Sequence, residues 1–214
     1  MLGKMAMTVA LLMLLLVLSS QSFAATDKEP KAELKVLLGA LQSYQADFTQ
    51  TIEDWTGEVL QQSEGKLTLQ KPNQLRWQVS QPDESLFIAD GAVVYNIDPF
   101  VEQVSLLDQS QIIDNNPLML LISDDPAAWN EVNISYSEGS FIINATNPDA
   151  NITELALTFT DDILSALVSK DKQRQTNRIV FTNAQQNIKV ADNSFTAIYP
   201  ESYVIDDQRS AENF

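Results

Sequence analysis

The sequence predicts an α+β fold in which a large, strongly curved antiparallel sheet, open or barrel-like, is covered on one side by helices. Three observations carry that expectation. Apolar residues alternate with polar ones from Tyr44 onward in many short runs, the pattern of strands with one buried face. Turn signals separate those runs, among them Asp90-Gly91 and Asp98-Pro99. Helical spacing appears in only two places, at residues 30–43 and around Asn116-Pro117. Evenly spaced strands with only six glycines in the chain favour a curved sheet that encloses a volume. Whether that volume is filled or hollow decides what the protein does, because larger barrels hold apolar ligands and small ones fill with their own side chains.

The first 24 residues read as an export signal. Lys4 lies in a short leading region, residues 9–18 are an apolar core, and Ser22-Phe23-Ala24 is the small-x-Ala pattern that precedes cleavage. Cleavage is expected after Ala24, leaving residues 25–214 as one domain with a single core and no linker. The apolar core is about half of the roughly 20 residues needed to span a bilayer, so the mature protein is expected to be soluble. The chain has no cysteine, which rules out disulfides and an N-terminal lipid anchor on that residue. Removing Lys4 and no acid takes the net charge from -16 to -17, since -16 - 1 = -17. Such acidity disfavours nucleic acid and anionic membrane surfaces and keeps the chain soluble.

Pro30 suits a first helical position, and Leu34, Leu37, Leu38 and Leu41 follow at spacings of three and four, one apolar stripe along residues 30–43. From Tyr44 the period becomes two. Tyr44, Ala46, Phe48 and Ile52 share a face, followed by Leu67 and Leu69, then Leu75, Trp77 and Val79, while Arg76, Gln78 and Ser80 point the other way. Runs at 86–89 and 93–97 flank Asp90-Gly91 as a hairpin. Asn116-Pro117 then opens a short helix of five consecutive apolar residues, Leu118, Met119, Leu120, Leu121 and Ile122, and Asp125-Pro126 a second start that carries Trp129. Five apolar residues in about one and a half turns cannot share one face. Either the helix has neighbours on two sides or part of it is exposed some of the time. Strands resume at 131–136, 140–146, 152–160, 163–170 and 177–183, and the tail carries Phe195, Ile198, Tyr199 and Val204-Ile205.

Histidine and cysteine are both absent, which removes the commonest general base, the commonest transition-metal ligands and the thiol nucleophile. No nucleophile elbow, phosphate-cradling glycine loop or calcium loop occurs. Asp124-Asp125, Asp161-Asp162 and Asp206-Asp207 are each explained by a cap, a turn or the tail. No catalytic group, metal site or cofactor is expected.

An ordered set of motifs remains: Lys71-Pro72-Asn73 through Trp77, Gln81-Pro82-Asp83-Glu84-Ser85, Asp90-Gly91, Asp98-Pro99-Phe100-Val101-Glu102-Gln103, Pro117 with residues 118–122, and Asp206-Asp207-Gln208-Arg209. In order and spacing these resemble the LolA family of periplasmic outer-membrane lipoprotein carrier proteins, across nearly all of the mature chain. The family's sister receptor needs an N-terminal cysteine, which this chain lacks.

The resemblance implies an incomplete β-barrel closed by a lid of short α-helices, with an apolar interior that holds the acyl chains of a triacylated lipoprotein. It implies a periplasmic chaperone that takes its cargo from an inner-membrane ABC transporter complex and delivers it to an outer-membrane lipoprotein receptor, as a monomer without stable membrane insertion. By the same resemblance Leu118, Met119, Leu120, Leu121 and Ile122 form the lid helix. Phe48, Leu75 and Trp77 line the cavity. Two departures stand out: the family commonly has arginine where this chain has Lys71, and an aromatic residue where it has Leu75. An ammonium lacks the planar fork of a guanidinium, so the lid gate is assigned to Lys71 or to Arg76. Leu121→Glu is expected to abolish cargo uptake with the fold intact. The rival readings are a binder of free lipid or another apolar ligand with the same fold, and an assembly protein with a filled core.

Overall fold

A computed structural model describes residues 29–111, Leu121 and residues 132–210. The expected signal peptide at residues 1–24 lies outside them, as do Leu118, Met119, Leu120, Ile122, Asp124-Asp125 and Trp129.

Helix α1 runs from Pro30 to Ala40, with the proline in its first turn, where a missing N–H costs nothing. The carbonyl of Glu29 accepts from the backbone N–H of Ala32 (2.9 Å) and Glu33 (3.2 Å). The helix ends before residue 43, earlier than its apolar spacing predicts, because Leu41 turns extended and Ser43 is already paired with Gln70 in the sheet. Leu34, Leu38 and Leu41 are buried nonetheless, so the predicted stripe does its packing from a helix and its cap.

Strands β1 (Ser43–Glu53), β2 (Val59–Gln70), β3 (Gln74–Gln81), β4 (Ser85–Ala89), β5 (Val93–Asp98) and β6 (Gln103–Asp108) form an antiparallel meander. A second meander comprises β7 (Val132–Ser137), β8 (Ser140–Ala145), β9 (Ile152–Thr160), β10 (Ile163–Asp171) and β11 (Thr176–Gln186). β11 joins it to β1 and, with β12 (Val204–Asp207) at one edge, gives one 12-stranded sheet in the order β12-β6-β5-β4-β3-β2-β1-β11-β10-β9-β8-β7. The sheet is curled and open. Helix α1, attached directly to β1, touches β7 at the far edge, and one apolar cluster joins residues of β1 to β5 with residues of β7 to β11.

The turns form where their residues permit. Gly91 adopts φ 111° in the β4–β5 hairpin, and Asp90 Oδ1 accepts from the N–H of Ala92 and Val93, both at 2.9 Å. Asp98 Oδ1 does the same for Phe100 (2.9 Å) and Val101 (3.3 Å).

One strand departs from the antiparallel expectation. After β11 the chain is fastened to the start of β1 by the N–H of Asn187 on the Ser43 carbonyl (2.8 Å) and by Ser43 Oγ on the Ile188 carbonyl (2.7 Å). It then crosses the convex face, burying Val190 and Phe195 against Ile88 and setting Tyr199 and Tyr203 against Ile97, Val104 and Leu106. The crossing ends where β6 begins, so the last strand, β12 (Val204–Asp207), can only run alongside β6 in the same direction, and it pairs parallel.

Candidate functional site

The concave face is the candidate site. Tyr44, Ala46 and Phe48 of β1, Leu67 and Leu69 of β2, Leu75 of β3, Ala89 of β4 and Val94 of β5 occupy it on one side. Phe141, Leu157, Leu164, Leu167, Ile179 and Phe181 occupy the other, and Leu34, Leu38 and Leu121 pack against them. Strand alternation puts Trp77 on the face of Leu75, two residues away. Trp77 stacks on Phe48 with ring centroids 3.5 Å apart and planes at 17°.

That stack depends on a residue between the two strands. Gly65 of β2 is opposite both Phe48 and Val79, and a Cβ on it would collide with the carbonyl oxygen of Gln78 and stand 2.7 Å from Cζ of Phe48. Only glycine lets the Phe48 ring lie over β2 to reach Trp77. Across the cavity, Tyr44 is fully buried, meets Phe181 edge-on at 5.6 Å and donates its hydroxyl to the Leu164 carbonyl at 2.6 Å. Burial pushes the phenol pKa well above its usual value.

Phe48, Leu75, Trp77 and Leu121 are therefore brought together in one apolar cluster. Leu121 is 0% exposed. A glutamate in its place would have to bury a charge, a cost of several kcal/mol that the expectation of an intact fold omits. The remaining candidate lid residues, Leu118, Met119 and Ile122, lie outside the described residues.

The two candidate gate residues sit in different places. Lys71 Nζ donates to the carbonyl of Leu38 at 2.9 Å, in the last turn of α1, where a cation favours the negative end of the helix. The same tight turn holds Asn73 at φ 61°, with its carbonyl accepting from Gln109 Nε2 at 2.6 Å. Gln109 Oε1 in turn accepts from the Gly91 N–H at 2.9 Å, so one buried amide ties the β2–β3 turn to the β4–β5 turn. Arg76 is on the opposite, convex face. It reaches the Ser194 carbonyl (3.5 Å) and Gln78 Oε1 (3.4 Å), and burial lowers its pKa. A guanidinium held there, beneath the crossing tail, is directed away from the apolar cluster.

Sequence reasoning missed Gly65, Gln109 and the Leu38 contact of Lys71. Gly65 carried a usable signal, since an isolated glycine inside a strand marks close backbone approach. Gln109 and the carbonyl of Leu38 carried none, because each is defined by partners distant in the chain.

A curled sheet that turns a continuous apolar face inward beneath a helix defines the class: an open half-barrel with an apolar interior. The family model "Outer membrane lipoprotein carrier protein LolA" matches residues 39–197. A relative from Shewanella halifaxensis named outer-membrane lipoprotein carrier protein is 37% identical over 177 residues, covering 83% of this chain and 85% of that one. One of the same name from Idiomarina loihiensis is 32% identical over 195 residues, covering 91% and 96%. An uncharacterized conserved protein of known structure from Thermus thermophilus shares the fold, with TM-score 0.51 at 10% identity, covering 82% of this chain and 99% of that one. This chain belongs to the LolA family of outer membrane lipoprotein carrier proteins.

Proposed function

We propose that this protein is a periplasmic lipoprotein carrier. It accepts acylated lipoproteins leaving the inner membrane, shelters their acyl chains against the concave face and delivers them to an outer-membrane receptor. Membership of the carrier family supports this reading, together with an inward face that is apolar from β1 to β11. The physical need is plain. Each methylene buried in a membrane contributes about 0.8 kcal/mol, so three long chains in water would cost tens of kcal/mol. The donor is an inner-membrane ABC transporter complex. Residues 1–24 direct export and are removed, and residues 25–214 act as one monomeric domain.

Phe48, Leu75, Trp77, Leu118, Met119, Leu121 and Ile122 are the acyl-chain contacts in this proposal, and Lys71 is the gate. What supports Lys71 is its grip on the end of α1, a helix that packs over the concave cluster. Release of cargo needs a closed, empty state within a few kcal/mol of the filled one, and the part-buried hydrogen bond of Lys71, on the order of 1 kcal/mol, is a suitable latch.

Purified mature protein added to spheroplasts making labelled lipoproteins should bring lipoprotein into the supernatant, co-eluting one to one with this chain. The complex should fail to form when the cargo lacks acyl chains. A well-folded protein that releases nothing, and instead carries free lipid identified by mass analysis, would replace the carrier reading with that of a free-lipid binder.

A further inference from the structure

The convex face holds a cleft that the carrier reading does not use. Its volume is about 430 Å³, and it lies between the outward side chains of β1 to β3 and the crossing residues 193–198. Its floor is polar and ordered by strand register. Arg76 is opposite Thr68, Gln78 is opposite Lys66, and Gln45 is opposite Thr68, to which it donates at 3.2 Å. The chain carries 29 acids against 13 bases, yet two bases and no acid line this cleft.

Arg76 is unusual among those bases. A guanidinium has five N–H donors in a planar fork. Here the acceptors are one carbonyl at 3.5 Å and one amide oxygen at 3.4 Å, both at the long limit of a hydrogen bond, and no carboxylate pairs with it among the described residues. Its partial burial, which lowers its pKa, removes water without supplying a counter-charge. Lys66 pairs with Asp47 at 3.7 Å, and the two side chains are 78% and 42% exposed. Asp47 is also held by Asn183 Nδ2 at 2.8 Å. An exposed pair at that distance holds the ammonium weakly.

From this geometry we infer that the convex cleft is a binding site for a small phosphate-bearing ligand, with Arg76 and Lys66 as its charged contacts. The register decides between phosphate and carboxylate. Arg76 and Lys66 are diagonal neighbours across β2 and β3, about 7 Å apart at their Cβ atoms, with Thr68 and Gln78 at the other corners. A carboxylate has two oxygens, and the arginine fork uses both. A tetrahedral phosphate keeps further oxygens for the Lys66 ammonium and for the Thr68 hydroxyl or the Gln78 amide.

The test is an amide and arginine side-chain NMR titration of the mature protein at constant ionic strength, with inorganic phosphate, glycerol 3-phosphate, dihexanoylphosphatidylglycerol below its micelle concentration, and succinate. The expected result is saturable shifts confined to β1 to β3 and residues 193–198 with at least one phosphate probe, roughly tenfold weaker binding in Arg76→Gln, and only partial recovery in Arg76→Lys. Asp47→Asn, which frees Lys66, should tighten binding. Preference for glycerol 3-phosphate would assign a free ester, and preference for the lipid would assign a headgroup. Binding of succinate as tight as that of every phosphate probe overturns the ligand class. Absent saturation, or a phosphate affinity unchanged in a folded Arg76→Gln, overturns the site and leaves Arg76 as an anchor for the tail.

Discussion

Strands β4 to β6 and strands β8 to β11 belong to one sheet but solve burial differently. In β4 to β6 neighbouring residues are buried on opposite faces: Ala89 and Val94 face the concave cluster, while Ile88, Ile97, Val104 and Leu106 lie under the crossing tail. In β8 to β11 burial alternates. Ile179 and Phe181 point inward, and Val180 between them is 42% exposed. Continuous apolar runs accompany strands covered on both faces, and alternating ones accompany strands covered on one. The carrier's interior is therefore shared by both regions, while only the first also serves as the floor on which the tail is built.

The largest effect is expected where the two strand faces leave no space. Gly65→Ala should cost roughly 3 kcal/mol or more, because a methyl meets backbone and an aromatic ring that cannot both yield. Urea unfolding with an unchanged midpoint would show that β2 and β3 can separate there.

The difference between the two regions is tested by a pair of truncations on the convex face. Ile88→Ala, under the tail, should lose about 2–5 kcal/mol, whereas Val180→Ala should stay within about 0.5 kcal/mol. Equal losses would mean that the tail does not seal β4 to β6.

A smaller effect is expected at the rim. Lys71→Gln removes the cation from the end of α1 and should destabilise by about 1 kcal/mol, while Lys71→Arg should preserve or strengthen the contact. Hydrogen exchange at the last turn of α1 would report it, and unaltered protection there in the glutamine variant would remove the latch.

The smallest effect is a pH dependence at β12. The Arg209 side chain donates to Asp207 at 2.8 Å and 2.6 Å, and it holds that carboxyl down at about 2. A depressed folded-state pKa contributes stability that is present above the usual carboxylate range and is lost as pH falls. The stability it contributes should be complete above about pH 4 and shrink as pH falls toward 2, while the clamp itself stays closed in the folded chain until the pH nears about 2. Exchange at the β12 amides, compared with Asp207→Asn, measures it, and release near neutral pH would contradict the pairing.

The hairpin at Asp90-Gly91, the alternation through Leu75 and Trp77, the apolar stripe of α1 and the five strands after residue 131 were legible in the sequence. Each rests on contacts between residues close in the chain or on a period that one strand or helix expresses alone. The family motifs lie on those same elements, so the family was legible too. The long-range assembly was not. The parallel pairing of β12 with β6, the clearance at Gly65, the hold of Lys71 on Leu38 and the position of Arg76 under the tail depend on which distant segments the curled sheet brings together. Local propensity and periodicity assign a residue to a face, whereas its neighbour across that face is selected only when the sheet closes and the tail crosses it.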